Sequence, residues 1–210
     1  MKKRDYEFVA FYFDFLSPYS YLAHTQLKII CENSGTHILY RPVLMSELFR
    51  RNGGIPETLK PARAVEVTRD LQRFAKWYGV KLAIPDRELV PVEKAMQVAY
   101  SLQNEWEGAP FIENAFRKLW AEGKDLNEEK TLEETLKESG LNASEWLCKL
   151  TVSKLKLSLL RGTSEAIKKG VFKLPFFIHR DEKYFGNEAL PLIAAALGEA
   201  PVYPPWKKAS

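Results

Sequence analysis

FYFDFLSPYSYLA, Phe11–Ala23, is the stretch that decides the fold. Its first half alternates. Phe11, Phe13 and Phe15 share one face, Tyr12 and Asp14 the other, as in a buried strand. Ser17 and Pro18 then read as a helix start. The serine hydroxyl can cap free backbone N–H groups, and proline at the first helical position gives up a donor that had no partner. No proline or glycine interrupts Tyr19 to Asn33, where Tyr21, Leu22, Ile29 and Ile30 are expected to supply apolar contacts. Strand, tight turn and helix follow, with hydroxyls at Ser17 and Ser20 on the helix N-terminus.

A helix N-terminus carries partial positive charge and favours anions. With Cys-x-x-Cys in this geometry, thioredoxin-like redox proteins obtain a thiol of lowered pKa. Here the four positions are Ser17, Pro18, Tyr19 and Ser20. Hydroxyls cannot exchange disulfides, but one can donate a hydrogen bond to a thiolate arriving from outside. A serine that merely caps its helix is the plainer alternative.

Outward from this stretch, Ser34 and Gly35 stop the helix and Thr36 to Val43 form a second strand ended by Arg41-Pro42. Strand, helix and strand make a parallel unit with a right-handed crossover. From Met45 to about Lys169 no convincing strand occurs. Met45 to Arg51 is a short helix closed by Asn52-Gly53-Gly54. Ala64, Val67, Leu71, Phe74 and Tyr78 mark a helix capped by Gly79, and the region of Pro85 and Pro91 is a loop. Ala95, Ala99, Leu102 and Trp106 form a stripe ended at Gly108; Ile112, Phe116, Leu119 and Trp120 form another ended at Gly123. Thr131 to Ser139 and Ala143 to Leu150 are shorter helices, and a long one from about Thr151 to Lys169 is interrupted by Gly162. Each stripe reads as core rather than ligand box. Strands return at Phe176 to His179 and, after a turn, at Tyr184-Phe185; Glu188 to Leu197 is a last helix.

The order predicts an α/β fold: a thioredoxin-like domain from 1–45 and 170–200, a large all-helical insertion over 46–169, and a tail over 201–210. Leu174-Pro175, directly before the third strand, stands where the thioredoxin arrangement holds a cis-proline facing the helix N-terminus. An ordinary trans proline opening an edge strand is the alternative.

The 210 residues fit one domain, or one with a large insertion. Hydrophobic residues at 46% and charged residues at 28% are the mix of a soluble globule. A formal charge of +4, with no long basic run beyond Lys2, Lys3 and Arg4, is too small to argue for nucleic acid. No signal peptide or membrane span is expected, and a cytoplasmic location is. Cys31 and Cys148 lie in helical patterns and read as buried free thiols, with a disulfide between them left open. No metal site is expected.

FYFDFLSPYSYLA, RDLQRFAKWYGV, GVFKLPFFI and YFGNEAL together resemble 2-hydroxychromene-2-carboxylate isomerases, and less closely kappa-class glutathione transferases, both thioredoxin-like and related to disulfide oxidoreductases. The likeness runs from Phe8 to about Leu197. It implies glutathione as cofactor. By position, Ser17 would hydrogen-bond the glutathione sulfur, the Leu174 backbone before Pro175 would pair with the cysteinyl part, and Asn187 and Glu188 would hold the γ-glutamyl end. An N-cap and a first-turn acid are the structural alternatives for that last pair. Two departures stand out. The family asparagine aligns with Gly54, with Asn52 close by, and the family lysine and tyrosine align with Arg63 and Glu66. Arg63 could still bind the glycine carboxylate bidentately. Tyr19, Trp77 and Phe172 are candidates for an apolar wall, with core packing the alternative for each.

The resemblance implies a glutathione-dependent isomerase of a small aromatic pyruvate compound, working in aromatic catabolism as a homodimer, with neither nucleic acid nor membrane as partner. Alternatives are a kappa-like transferase and a non-catalytic thiol or peptide binder. A disulfide oxidoreductase is excluded, since neither cysteine lies at the helix start.

Overall fold

Strand β1 (Phe8–Phe13) is the second strand of a four-stranded sheet of order β2-β1-β3-β4, with β2 (His37–Pro42), β3 (Phe176–His179) and β4 (Glu182–Phe185). This computed structural model describes residues 7–54, 63–85, 90–105 and 108–199. Lys2, Lys3, Arg4, Trp106 and the 201–210 tail lie outside them. β1 and β2 are parallel, Phe11 facing Tyr40; β3 is antiparallel to both β1 and β4, with Phe11 facing Phe177. The expected thioredoxin-like domain is therefore present, its sheet mixed, and the elements described between β2 and β3 are helices.

The alternation in β1 sorts its side chains to two packed faces. Val9, Phe11, Phe13 and Phe15 join one buried cluster with α1 (Pro18–Ser34) and α9 (Leu190–Ala196). The same cluster takes in Phe111 and Phe116 of α5 (Gly108–Phe116) and Leu132 and Leu136 of α6 (Glu129–Glu138). Ala10 and Tyr12 face the other way, onto Leu48 of α2 (Met45–Arg51) and Ala166 of α8 (Ser153–Lys168). Fully buried aromatic side chains contribute most of the burial per residue, and their pairing geometry adds to it. Phe11 stacks on Phe13 at 5.3 Å and on Phe177 at 5.4 Å between ring centroids.

The remaining helices are α3 (Ala64–Tyr78), α4 (Glu93–Ser101) and α7 (Ala143–Lys149). Gly35 and Gly79 close α1 and α3 in the left-handed conformation (φ +67° each), as read from sequence.

Several expectations change. Gly108 does not end a helix. α4 stops at Ser101, and Gly108 opens α5, where a side chain would collide with the Leu102 carbonyl. Gly162 does not interrupt α8, which runs through it; the missing side chain makes room for the Tyr100 ring. Ile29 is 46% exposed, one position short of buried Ile30. The final helix starts later than Glu188, because Asn187–Ala189 is a 3-10 turn. Both cysteines are free, but only Cys31 is buried. Burial and the neighbouring Glu32 carboxylate push its thiol up to about 12. Cys148 is exposed because short α7 buries Ala143, on a different face. Among the described residues no helix is long and apolar enough to cross a membrane.

Candidate active site

After β1 the chain turns sharply, and one buried carboxylate organises the turn. Asp14 Oδ1 accepts from the Leu16 amide at 2.9 Å and Oδ2 from the Met45 amide at 2.8 Å. The first bond folds the turn; the second supplies the acceptor that the N-terminus of α2 lacks from its own N-cap, Leu44. Burial raises the Asp14 carboxyl to about 6, partly offset by those two N–H groups.

This has a pH consequence. The folded chain holds the Asp14 proton more tightly than the unfolded chain does. The resulting stabilisation is complete below the unfolded value of 3.8 and is lost as pH rises through about 6. Measured against Asp14→Asn by denaturant unfolding, wild-type stability is expected to gain on the order of 3 kcal/mol as pH falls from about 7 to about 4. A constant difference across that range would mean that Asp14 does not titrate there.

The Ser17 amide donates to the Asp14 carbonyl at 3.0 Å. Ser17 caps α1: its Oγ accepts from the Ser20 amide at 3.1 Å, and Pro18 is the first helical residue. That bond uses the oxygen as acceptor, and the Ser17 hydroxyl proton has no acceptor among the described residues. Ser17 is only 3% exposed, yet it lines a cavity of about 1030 Å³. Leu174 and Pro175, joined by a cis peptide, line the same cavity. So do Asn52, Gly54, Asn187 and Glu188.

Buried Asn187 donates from Nδ2 to the Tyr19 carbonyl at 3.1 Å, while its Oδ1 has no partner among the described residues. Gly186 (φ +79°) makes the turn into this corner, its amide donating to the Pro175 carbonyl at 3.0 Å. Asn52 Nδ2 donates to the Phe172 carbonyl at 2.8 Å, and Lys173 Nζ lies 3.7 Å from Glu188. Phe49, Val67, Leu71, Phe74 and Trp120 give the cavity an apolar side.

Of the site residues read from sequence, the cavity gathers Ser17, Asn52, Leu174, Pro175, Asn187 and Glu188. Arg63 is not on its wall; it is the exposed N-cap residue of α3. Among the described residues, the cation on the wall is Lys173. Glu66 is exposed and pairs with Arg69 at 2.8 Å, so of the two departures only Gly54 touches the cavity. Tyr19 and Phe172 line it, the latter 46% exposed; Trp77 does not and stacks on Phe74.

Asp70 was missed as a site residue. It accepts from the Tyr19 hydroxyl at 2.8 Å on the cavity wall, and its place in the RDLQRF segment was the available signal. Burial, then Asp70, hold the Tyr19 phenol well above its ordinary range.

A family model of the DsbA-like thioredoxin domain matches residues 8–198. The chain belongs to the DsbA-like thioredoxin family. Within reach of this DsbA-like chain is the 2-hydroxychromene-2-carboxylate isomerase of Sphingobium xenophagum, 28% identical over 90% of this chain and 97% of that one. Glutathione S-transferase kappa 1 of Caenorhabditis elegans is 26% identical over 90% of each. A solved 2-hydroxychromene-2-carboxylate isomerase superposes with a TM-score of 0.84 at 27% identity, covering 91% of this chain and 94% of that one. The resemblance read from sequence is thus found independently in sequence and structure. What separates this member from a dithiol enzyme of the same fold is chemical: hydroxyls, not thiols, occupy positions 17 and 20.

Proposed function

We propose that the chain is a glutathione-dependent isomerase of 2-hydroxychromene-2-carboxylate or a similar aromatic pyruvate compound. The observation that carries this reading is the Ser17 hydroxyl. It sits at a helix N-terminus, on a cavity wall, with its proton uncommitted among the described residues. Two further features suit a tripeptide: the unpartnered Asn187 Oδ1, buried in the cavity corner, and the Leu174–Pro175 backbone beside it.

When bound, glutathione supplies a thiolate nucleophile that can add to a conjugated double bond and leave again once the bond has rotated. The chain's own residues do the rest. Ser17 and the α1 dipole favour the charged sulfur over the thiol. Leu174 offers backbone groups to the cysteinyl part. Asn187 and Glu188 take the γ-glutamyl end, Glu188 suiting its ammonium. Asn52 lines the same cavity, and Lys173 replaces Arg63 as the cation within it. Phe49 and Phe74 exclude water from the aromatic acceptor's side and hold it near the sulfur. The homodimer and the cytoplasmic location implied by the resemblance belong to this reading.

A kappa-like glutathione transferase is the second reading, favoured by the same apolar wall, which would equally hold a hydrophobic electrophile. Turnover of a chromene carboxylate against turnover of a standard electrophile, each with and without glutathione, separates the two.

The shared premise has its own test. Glutathione and S-methyl glutathione are titrated by calorimetry from mildly acidic to mildly basic pH, in buffers of different ionisation enthalpy. A site that favours thiolate lowers the bound thiol below about 8.5, so glutathione affinity should rise as pH climbs toward that value, with proton release. S-methyl glutathione has no such proton, and its affinity should lack that dependence. Identical pH dependence would remove the thiolate role. If neither ligand binds, a non-catalytic thioredoxin-fold binder becomes the better description.

A further inference from the structure

Helix α5 does not end as an ordinary α-helix. Arg117–Ala121 is a π-helical turn, an uncommon feature that concentrates at functional sites. Trp120 leaves it toward the cavity. It is only 1% exposed, and its indole Nε1 donates to the Phe15 carbonyl at 2.7 Å. Its own carbonyl, one of the unpaired acceptors at the helix end, accepts from the Ala83 amide. Lys118, on the same turn, is buried and anchors it from the opposite side, its Nζ 2.7 Å from Glu138 and 3.5 Å from Glu134.

These bonds meet at the site. Phe15 lies two residues before Ser17, past the end of β1, where its backbone has left the sheet ladder. Its amide donates to Met96 Sδ at 3.5 Å and its carbonyl accepts from Trp120, so both its polar groups are satisfied by side chains of the helical stretch. A buried carbonyl must find a donor, and here the indole is the one provided. Ala83 immediately precedes Ile84 and Pro85, which line the cavity. One residue thus holds both the turn that carries Ser17 and the strap that walls the cavity's far side.

We propose that Trp120 is a positioning residue: through its indole N–H it sets the Ser17 turn, and through its carbonyl it fixes the 81–85 strap against that turn. It does not touch the reacting atoms; it acts through Ser17. Only the ligand readout below rests on the glutathione reading.

Trp120→Phe in the full chain keeps an aromatic ring and the main-chain carbonyl but removes the N–H. By hydrogen exchange, amides of residues 15–20 should exchange at least tenfold faster, while those of 81–85 and of the β1–β3 pair change by less than threefold. If wild type binds glutathione with a lowered thiol pKa, the variant should return that pKa toward the free value. Uniform acceleration across the sheet, or unchanged exchange at 15–20, would overturn the proposal. So would an unaltered bound-thiol pKa. Should wild type bind no glutathione, the functional reading falls and the exchange pattern alone decides the role of Trp120. Should the variant fail to fold, wild-type protein still decides. The Trp120 indole proton must exchange no faster than the Leu16 and Ser17 amides, and an indole more than tenfold faster than those amides refutes the tie.

Discussion

Replacing Ser17 by alanine should leave a folded chain whose turnover is roughly 10²–10³-fold lower, the scale seen when one preorganised donor to a developing anion is removed. The fold tolerates the change. Ser17 Oγ caps one amide, that of Ser20, and the loss of such a cap costs about 1 kcal/mol. A domain's total stability is about 5–15 kcal/mol. Pro18 at the first helical position limits the damage further, having no N–H to leave stranded. The glutathione-dependent rate and the far-ultraviolet circular dichroism of both proteins give the answer. An alanine variant as active as wild type would remove Ser17 from the chemistry.

Phe116→Ala should cost about 3–5 kcal/mol, the range for emptying a buried aromatic site. Phe116 belongs to α5, within the stretch 46–169, yet its ring partners come from outside that stretch. Phe15 and Phe13 of the β1 segment are 5.0 and 5.4 Å away between centroids, with Tyr21 and His24 of α1 at 6.2 and 5.4 Å. His24 stays uncharged in this setting, since burial lowers it to about 4. We propose that 46–169 is an inserted unit that shares its core with the flanking segments 1–45 and 170–200. Denaturant unfolding of the variant should then show one transition, displaced as a whole. Two separable transitions, only one of them shifted, would mean that the insertion folds by itself.

How much of this could be read from the residues depended on how local the cause was. The β1 turn, the Ser17-Pro18 helix start and the glycine stops at 35 and 79 rest on backbone rules within a few positions, and they stand as read. Leu174-Pro175 was legible through its place in the order of elements. Gly108 and Gly162 were misread because a glycine admits two meanings, a chain stop or a close approach. Only the Leu102 carbonyl and the Tyr100 ring, both supplied by other segments, decide between them. Arg63 aligns with a family cation but lies off the cavity wall, where Lys173 is the cation among the described residues. Trp120 was read as core, and it is buried. That its indole N–H seeks the Phe15 carbonyl depends on a π-turn that periodicity does not announce.

The placement of β3 has a consequence for how this protein is made. His179 meets the Phe8 carbonyl across 171 positions of chain. At a synthesis rate of about 5–20 residues per second, β1 emerges on the order of ten seconds before its central partner exists. Pairings of such long range close late in any case, because the loop entropy must be met before the contact forms. Through that interval the aromatic row Phe11, Phe13 and Phe15 would present the kind of surface that drives nascent chains to aggregate. The helices made in the meantime carry its cover: Phe111 and Phe116 pack on Phe13 and Phe15 without any contribution from β3. We propose that the helices of 46–169 shield β1 in the growing chain until Phe177 arrives to take its place against Phe11.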